Sequence, residues 1–521
     1  MADYLSILSS EVQRFSTDHP QVAAAGALGA MALSLLYTGF GSKKASPDGA
    51  IPLPQPRGRM PVIGHLWSIV KAPHIKMAEY SKELGPIYQM SFGGRDYIVL
   101  NSPEVIKGVL ETNGSKNSDR VPSTVVLLMS DNGLMWAWGA DNSYLRKSRR
   151  LFHNGFINKT NWEKNFPELY NNQVGRILRK IRDHGTADEG YSLMDVCYLY
   201  TINVSMSVLF NRDYESCDDP DFLEMNAVAH DFSDLGVALQ IECPKILEFA
   251  ISPFMNNAKR LQNKFRSVFS KYIKELREKR AKGIIVKCLI SDILDVQEKE
   301  QLTEPELDNF AAASMVGATD TTALSLANLL VTLANYPEVQ LKVQKELDTV
   351  VGIERHPTEQ DLINLPYTKA VITECLRFCP PVWISLPHMS RERQVYNGYE
   401  IPANTGILQN IYATNMSPEL FDKPEEFNPD RYYKEELLKP NQRDHWSFGN
   451  GRRTCPGNIF AEKSLQYFTA RILWAYTLTT PLDKNGNPIP VPMTDIKDPI
   501  SQPAHCNIRY VPRRANVGSF V

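Results

Sequence analysis

The stretch "FGNGRRTCPG" at 448–457 places one cysteine among three glycines and two arginines. Cys455 is followed by "PGNIFAEKSLQYFTARILWAY", a proline-led helical pattern that puts the sulfur near a helix N-terminus. Unpaired backbone N–H groups there, with Arg452 and Arg453 close in sequence, are expected to lower the thiol pKa and favour thiolate. The glycines allow a tight turn that a side chain would block. The eight cysteines contain no C-x-x-C pair and no repeated spacing, which indicates neither a zinc site nor a disulfide framework and points to a reducing compartment.

Two further constellations carry chemistry. In "GATDTT" (317–322), Asp320 and the threonines interrupt an apolar run beside Gly317 and Ala318. Small residues admit a bulky ligand to the backbone, mid-helix threonines can bond backward to carbonyls, and a carboxylate beside the Thr321 hydroxyl can relay protons. In "ECLR", Glu374 and Arg377 lie three apart on one helix face. A charge pair on so apolar a helix needs further partners, and Arg431 in "FNPDRY" is the natural third member. A thiolate with no protein cluster around it suits a ligand that brings its own remaining donors, such as haem.

The elements that must position these groups are mostly helical. Helical periodicity dominates from about 140 to 350, and Thr303 and Glu306 fit a capping box that opens a long helix running to Pro337. A second helix is expected over 338–350, and a third carries "YTKAVITECLRF" to Pro380-Pro381. "IYQMSFGGRDYIVL" (87–100) reads as a hairpin about Gly-Gly, and short β pieces are expected at 382–411 and 489–511. The fold class is therefore mostly α with minor β.

Composition bounds the function. Of 521 residues, 43% are hydrophobic and 22% charged, and the net charge of −2 provides no basic field for nucleic acid. Residues 21–42 carry no charge and as a helix would span about 33 Å, enough for a bilayer. Acidic residues dominate before this segment and basic ones follow it, so residues 1–20 are expected in the lumen and the body in the cytosol. The leader lacks the basic start of a cleaved signal, which makes 21–42 an uncleaved transmembrane anchor. Proline-rich 43–60 reads as a stiff spacer, and 61–521 as one catalytic domain.

With these residues together, the chain resembles a cytochrome P-450. The family pattern F-x-x-G-x-R-x-C-x-G is met at Phe448, Gly451, Arg453, Cys455 and Gly457. Five such matches arise by chance about once in 10^4 chains at roughly 1-in-20 usage. The resemblance spans nearly the whole chain and implies the cytochrome P-450 fold with an N-terminal transmembrane helix. It implies heme b with Cys455 as axial ligand, and Glu374, Arg377 and Arg431 as a buried structural triad. Asp320 and Thr321 become the acid–alcohol pair, with Ala318 where glycine is usual. The family's W-x-x-x-R appears as "LRKSR" (145–149), which keeps Arg149 and replaces tryptophan by Leu145. Arg149, Arg453 and His388 are carried over as contacts to the haem propionates. The basic run Arg146, Lys147, Arg149 and Arg150 is expected to dock an acidic electron donor.

The resemblance implies a monooxygenase of the endoplasmic reticulum membrane. It inserts one oxygen atom from O2 into a lipophilic molecule. Electrons come from NADPH through a separate cytochrome P-450 reductase, with cytochrome b5 as an optional partner, because no G-x-G-x-x-G fingerprint is present. The alternatives are a reductase-independent isomerase or dehydratase of the same fold, and a non-catalytic haem carrier or sensor. By family alignment the pocket is lined by 121–137, 232–254, Ala313–Thr321, Val382–Leu386 and Ile500–Gln502. These stretches are largely aliphatic and favour a neutral substrate. The sequence resembles filamentous-fungal steroid or terpenoid hydroxylases more than sterol demethylases. Deleting residues 1–42 is expected to release the protein from membranes with its haem retained, as checked by membrane fractionation and absorbance.

Overall fold

The apolar periodicity of the chain is realised in a computed structural model that describes residues 48–61, 63–156, 166–238, 252–433 and 445–514, without the side chains of 233–238. The lumenal segment 1–20, the anchor 21–42 and most of the lining stretch 232–254 lie outside the described residues. Six helices position the site: α1 (Ser143–Phe156), α2 (Leu193–Phe210), α3 (Ser252–Ala281), α4 (Glu304–Asn335), α5 (Pro366–Phe378) and α6 (Asn458–Ala475).

The 32-residue α4 starts where its cap dictates. The Glu306 amide donates to Thr303 Oγ1 at 3.3 Å, and the Thr303 amide donates to Glu306 Oε2 at 2.8 Å. Pro337 ends it by opening the next helix, Pro337–Val350. α2 packs along α4 and is apolar on all faces, so both are buried almost throughout. Each is long and apolar enough to cross a bilayer, yet 89% and 83% of their apolar windows lie inside the protein, which makes them core helices.

The main sheet is formed by β1 (Ile87–Phe92), β2 (Arg95–Leu100), β3 (Asp119–Arg120), β4 (His388–Met389) and β5 (Gly406–Gln409), in the order β1-β2-β5-β4-β3. β1 and β2 form the expected hairpin. Gly93 and Gly94 take φ of 56° and 94°, a left-handed pair that only glycine adopts without strain. At the other edge, the register of β3 with β4 sets Arg120 opposite His388.

Two boundaries differ from the sequence reading. The helical pattern after Cys455 extends through Tyr476, but the helix stops at Ala475, and β6 (Tyr476–Thr479) pairs with β7 (Asn507–Pro512). Buried glutamines favour the strand: the Leu478 amide donates to Gln340 Oε1 at 2.6 Å, and Gln344 Nε2 donates to the Tyr476 carbonyl at 3.3 Å. The proline-rich 43–60, expected as a spacer, joins the body from residue 50 onward. Ala50 and Leu53 are buried, Ile51–Pro52 pairs with Tyr399 and Glu400, and His65 Nε2 lies 3.0 Å from the Pro56 carbonyl.

Glu374 and Arg377 on α5 are fully buried. Arg377 donates from Nε and Nη2 to the two carboxylate oxygens, each at 2.8 Å, and from Nη1 to the Asn415 and Pro424 carbonyls at 2.7 and 2.8 Å. Arg431 Nε and the Asn428 amide also reach Glu374 Oε1, at 3.2 and 2.8 Å. The network ties α5 to the chain running toward the cysteine loop. Arg377→Ala leaves Glu374 buried beside the less enclosed Arg431. It is expected to cost about 3–5 kcal/mol, read as a lowered urea midpoint.

Candidate active site

The cysteine loop is built by backbone contacts. The Cys455 amide donates to the Phe448 carbonyl at 2.8 Å, and the Thr454 amide donates to the Gly451 carbonyl at 3.1 Å. Phe448 packs against the main hydrophobic core. Gly451 has φ +59°, and a Cβ there would lie 2.0 Å from the Leu110 carbonyl oxygen, so glycine is obligatory. Gly457 leads into α6, and its backbone N–H favours the thiolate form of Cys455.

The expected thiolate activation is only partly present. Burial pushes the Cys455 thiol up, against the smaller pull of the Gly457 N–H and the Arg149 guanidinium. Arg452 and Arg453 point elsewhere. Arg452 is exposed and 3.9 Å from Asp141. Arg453 is buried and donates to the Ser118, Trp136 and Gly139 carbonyls at 2.7, 3.4 and 2.6 Å. The sequence reading counted charges near in sequence, whereas the loop turns those side chains away from the sulfur.

Arg453 belongs to a cluster of cations. Arg120, which the sequence reading did not select, donates to the Ala137, Leu386 and Pro387 carbonyls at 3.1, 2.7 and 3.2 Å, and no carboxylate among the described residues pairs with it. Burial, Arg453 and Arg149 all press its pKa down. His388 is buried and its Nδ1–H donates to the Asn117 carbonyl at 2.9 Å; burial and Arg120 keep the ring neutral, leaving Nε2 as an acceptor. Trp136 Nε1 is buried with no partner. Nothing local in "SDR" marks Arg120, because only the β3–β4 pairing brings it to His388.

Arg149 lies on the cysteine side: its Nη2 donates to the Thr454 carbonyl at 2.9 Å. In the neighbouring basic run the exposed cations carry surface ion pairs. Arg146 pairs with Asp141 at 3.0 Å, Arg150 with Glu300 at 2.7 Å, and Lys147 donates to the Glu300 carbonyl at 2.7 Å.

On α4 the burial pattern breaks for one turn. Gly317 and Thr321 are exposed within a helix whose flanking residues are buried, so this face borders open space inside the fold. No atom lies within 4 Å of where a Gly317 Cβ would stand. Thr321 Oγ1 donates to the Gly317 carbonyl at 2.9 Å. Asp320, one residue earlier and about 100° around the helix, is buried and accepts from Tyr198 Oη of α2 at 3.0 Å. The carboxylate and the hydroxyl therefore leave the helix in different directions.

These groups suit heme b. They supply one partly exposed sulfur ligand, cations without carboxylates and a free indole N–H for two propionates, and a small-residue face where a flat macrocycle can approach the backbone. The cytochrome P450 family description matches residues 54–501. The chain belongs to the cytochrome P450 family. Members are haem-thiolate monooxygenases, and the cofactor is heme b bound through a cysteine thiolate. The chain is 30% identical to trans-cinnamate 4-monooxygenase of Catharanthus roseus over 85% of its length and 89% of the relative's. It is 27% identical to cytochrome P450 monooxygenase 58 of Postia placenta over 91% of both chains. The solved zebrafish cytochrome P450 with progesterone shares the mostly helical fold at TM-score 0.72 and 22% identity, covering 85% of this chain and 99% of that one.

Two substitutions test the loop of this cytochrome P450. Cys455→Ala is expected to abolish the red-shifted Soret band of a thiolate-ligated carbon-monoxide complex. Gly451→Ala is expected to give little haem-loaded protein while preserving the axial ligand, as measured by the haem-to-protein absorbance ratio.

Proposed function

We propose that the protein is a membrane-anchored monooxygenase of uncharged lipophilic molecules, of the steroid or terpenoid class, with Cys455 as its axial ligand. The observation that carries the substrate class is the absence of any cation in the lining stretches 121–137, 313–321, 382–386 and 500–502, while the fifth stretch, 232–254, carries the single cation Lys245 among Asp234, Glu242 and Glu248. A cinnamate-like carboxylate would leave its charge unpaired there. Partly covered apolar side chains in these stretches, such as Leu128, Leu134, Leu386 and Ile500, offer dispersion contacts and few fixed polar partners.

When bound, heme b supplies the oxidising chemistry, and Cys455 donates electron density to it. Arg120, Arg453 and Trp136 would hold the propionates, and His388, opposite Arg120 across the strand pair, would line the same end of the pocket. The Thr321 hydroxyl faces the open space with its lone pairs free, because its hydrogen is given to the Gly317 carbonyl. It accepts a hydrogen bond from a water and holds that water beside Gly317. Asp320 replenishes the proton supply, which requires its side chain to rotate away from Tyr198. Electrons arrive from NADPH through a separate reductase docking beside α1, where Arg149 touches the carbonyl preceding Cys455. Residues 21–42 anchor the chain in the endoplasmic reticulum membrane with the catalytic domain in the cytosol.

Binding difference spectra against a steroid, terpene, fatty-acid and trans-cinnamate panel test the substrate class. A response to the neutral compounds is expected, and one to cinnamate alone overturns the reading. Thr321→Ala is expected to retain haem and substrate binding yet lower product formed per NADPH by about 10²–10⁴-fold, with peroxide released instead. Asp320→Asn is expected to slow oxygen consumption itself. Both are measured as product, peroxide and oxygen per NADPH with reductase present.

A further inference from the structure

A cavity of about 300 Å³ lies between the helix Phe166–Lys180, α6 and the segment at His356, and none of the residues assigned above lines it. Its walls include Asn171, Arg176, Arg179, Asp213, His356 and Arg471. We propose that it is a binding site for a phosphate-class oxyanion, gripped by Arg471 and Arg179 with the Arg176 Nε beside them.

Arg471 carries the argument. It is only 2% exposed, yet no carboxylate among the described residues pairs with it. Its Nη1 donates to Asn171 Oδ1 at 2.5 Å and to Tyr467 Oη at 2.9 Å, and its Nε has no partner. A buried guanidinium normally has an anion beside it, because an uncompensated buried charge is costly. The nearby acids are already engaged. Glu359 pairs with Lys463 at 2.9 Å, and Asp361 accepts from both Arg355 terminal nitrogens at 2.6 and 2.7 Å.

The other walls add donors. Arg176 spends Nη2 on Asp213 and Glu215, each at 2.9 Å, and Nη1 on Gln173 Oε1 and the Tyr214 carbonyl, each at 3.1 Å, which leaves only its buried Nε unpartnered. Arg179 has no ion pair among the described residues, and its Nη1 folds back to 3.5 Å from where a Gly175 Cβ would stand. With Oδ1 turned to Arg471, the Asn171 amide presents its N–H donors elsewhere. Two guanidiniums without carboxylates, Arg471 and Arg179, and the remaining Arg176 Nε match the several acceptor oxygens of a phosphate, against one wall carboxylate that is already paired. The volume, at the low end for small-molecule sites, suits a phosphate or pyrophosphate group rather than a whole cofactor.

The phosphate can come from a free compound or from a lipid headgroup. Full-length, haem-loaded protein is titrated by calorimetry at constant ionic strength with inorganic phosphate, pyrophosphate, water-soluble dihexanoyl phosphatidic acid and chloride. Saturable binding of phosphate or pyrophosphate supports the site for a free compound, whereas saturation by the lipid alone supports it for a headgroup. Binding is expected to be about tenfold weaker in Arg179→Gln, and weaker again in Arg471→Lys, which keeps the charge and removes the planar fork. Arg179→Gln lies on the surface and is expected to keep the wild-type carbon-monoxide spectrum, so it remains informative if the Arg471 variant fails to fold. No saturation by any phosphate compound, an equal response to chloride, or wild-type affinity in Arg179→Gln overturns the proposal.

Discussion

The architecture around the site depends on how arginines are taken out of water. A guanidinium cannot lose its proton in a protein interior, so the buried ones around the cysteine loop and α5 recruit a carboxylate or several carbonyls. Arg377 uses Glu374 together with the carbonyls of Asn415 and Pro424. Arg453 uses the carbonyls of Ser118 and Gly139, and Arg120 those of Ala137, Leu386 and Pro387. Each therefore staples segments far apart in sequence. The cysteine loop, the strand edge at Arg120 and the turn before His388 are held in one arrangement by these bonds.

That arrangement governs geometry more than ionisation at Cys455. Burial raises the thiol pKa, and only the Gly457 N–H and Arg149 oppose it. A bound metal cation deprotonates a coordinating thiol outright, so the protein need only aim the sulfur. Few hydrogen bonds compete for this sulfur, which would leave its electron density for the cofactor.

α4 is a core helix with one exposed turn. Its length and apolarity bury it against α2, while Gly317, Ala318 and Thr321 leave a gap that a larger residue would fill. Thr321 bonds back to Gly317 and so keeps its donor inside the helix, leaving acceptor lone pairs for a water. The bond from Tyr198 to Asp320 couples α2 to the same turn, so the orientation of this carboxylate depends on a side chain outside the motif itself.

The sequence determined what depends on neighbours along the chain. The capping box at Thr303 and Glu306, the hairpin at Gly93-Gly94, the Glu374–Arg377 spacing and the glycine-rich turn before Cys455 are all set within a few residues by hydrogen bonding, periodicity and sterics. Tertiary structure decided what each charged side chain faces. Arg453 points to carbonyls rather than to sulfur, Asp320 is turned to Tyr198, Arg149 reaches Thr454, and Arg120 joins His388 only because β3 pairs with β4. Tyr476 becomes strand because Gln344 donates to its carbonyl, Gln340 accepts from the Leu478 amide and β7 lies alongside, and residues 50–56 pack because Tyr399 and Glu400 offer an edge. Charges and strand edges are satisfied by partners tens to hundreds of residues away, and a local pattern does not specify which partner the fold will bring.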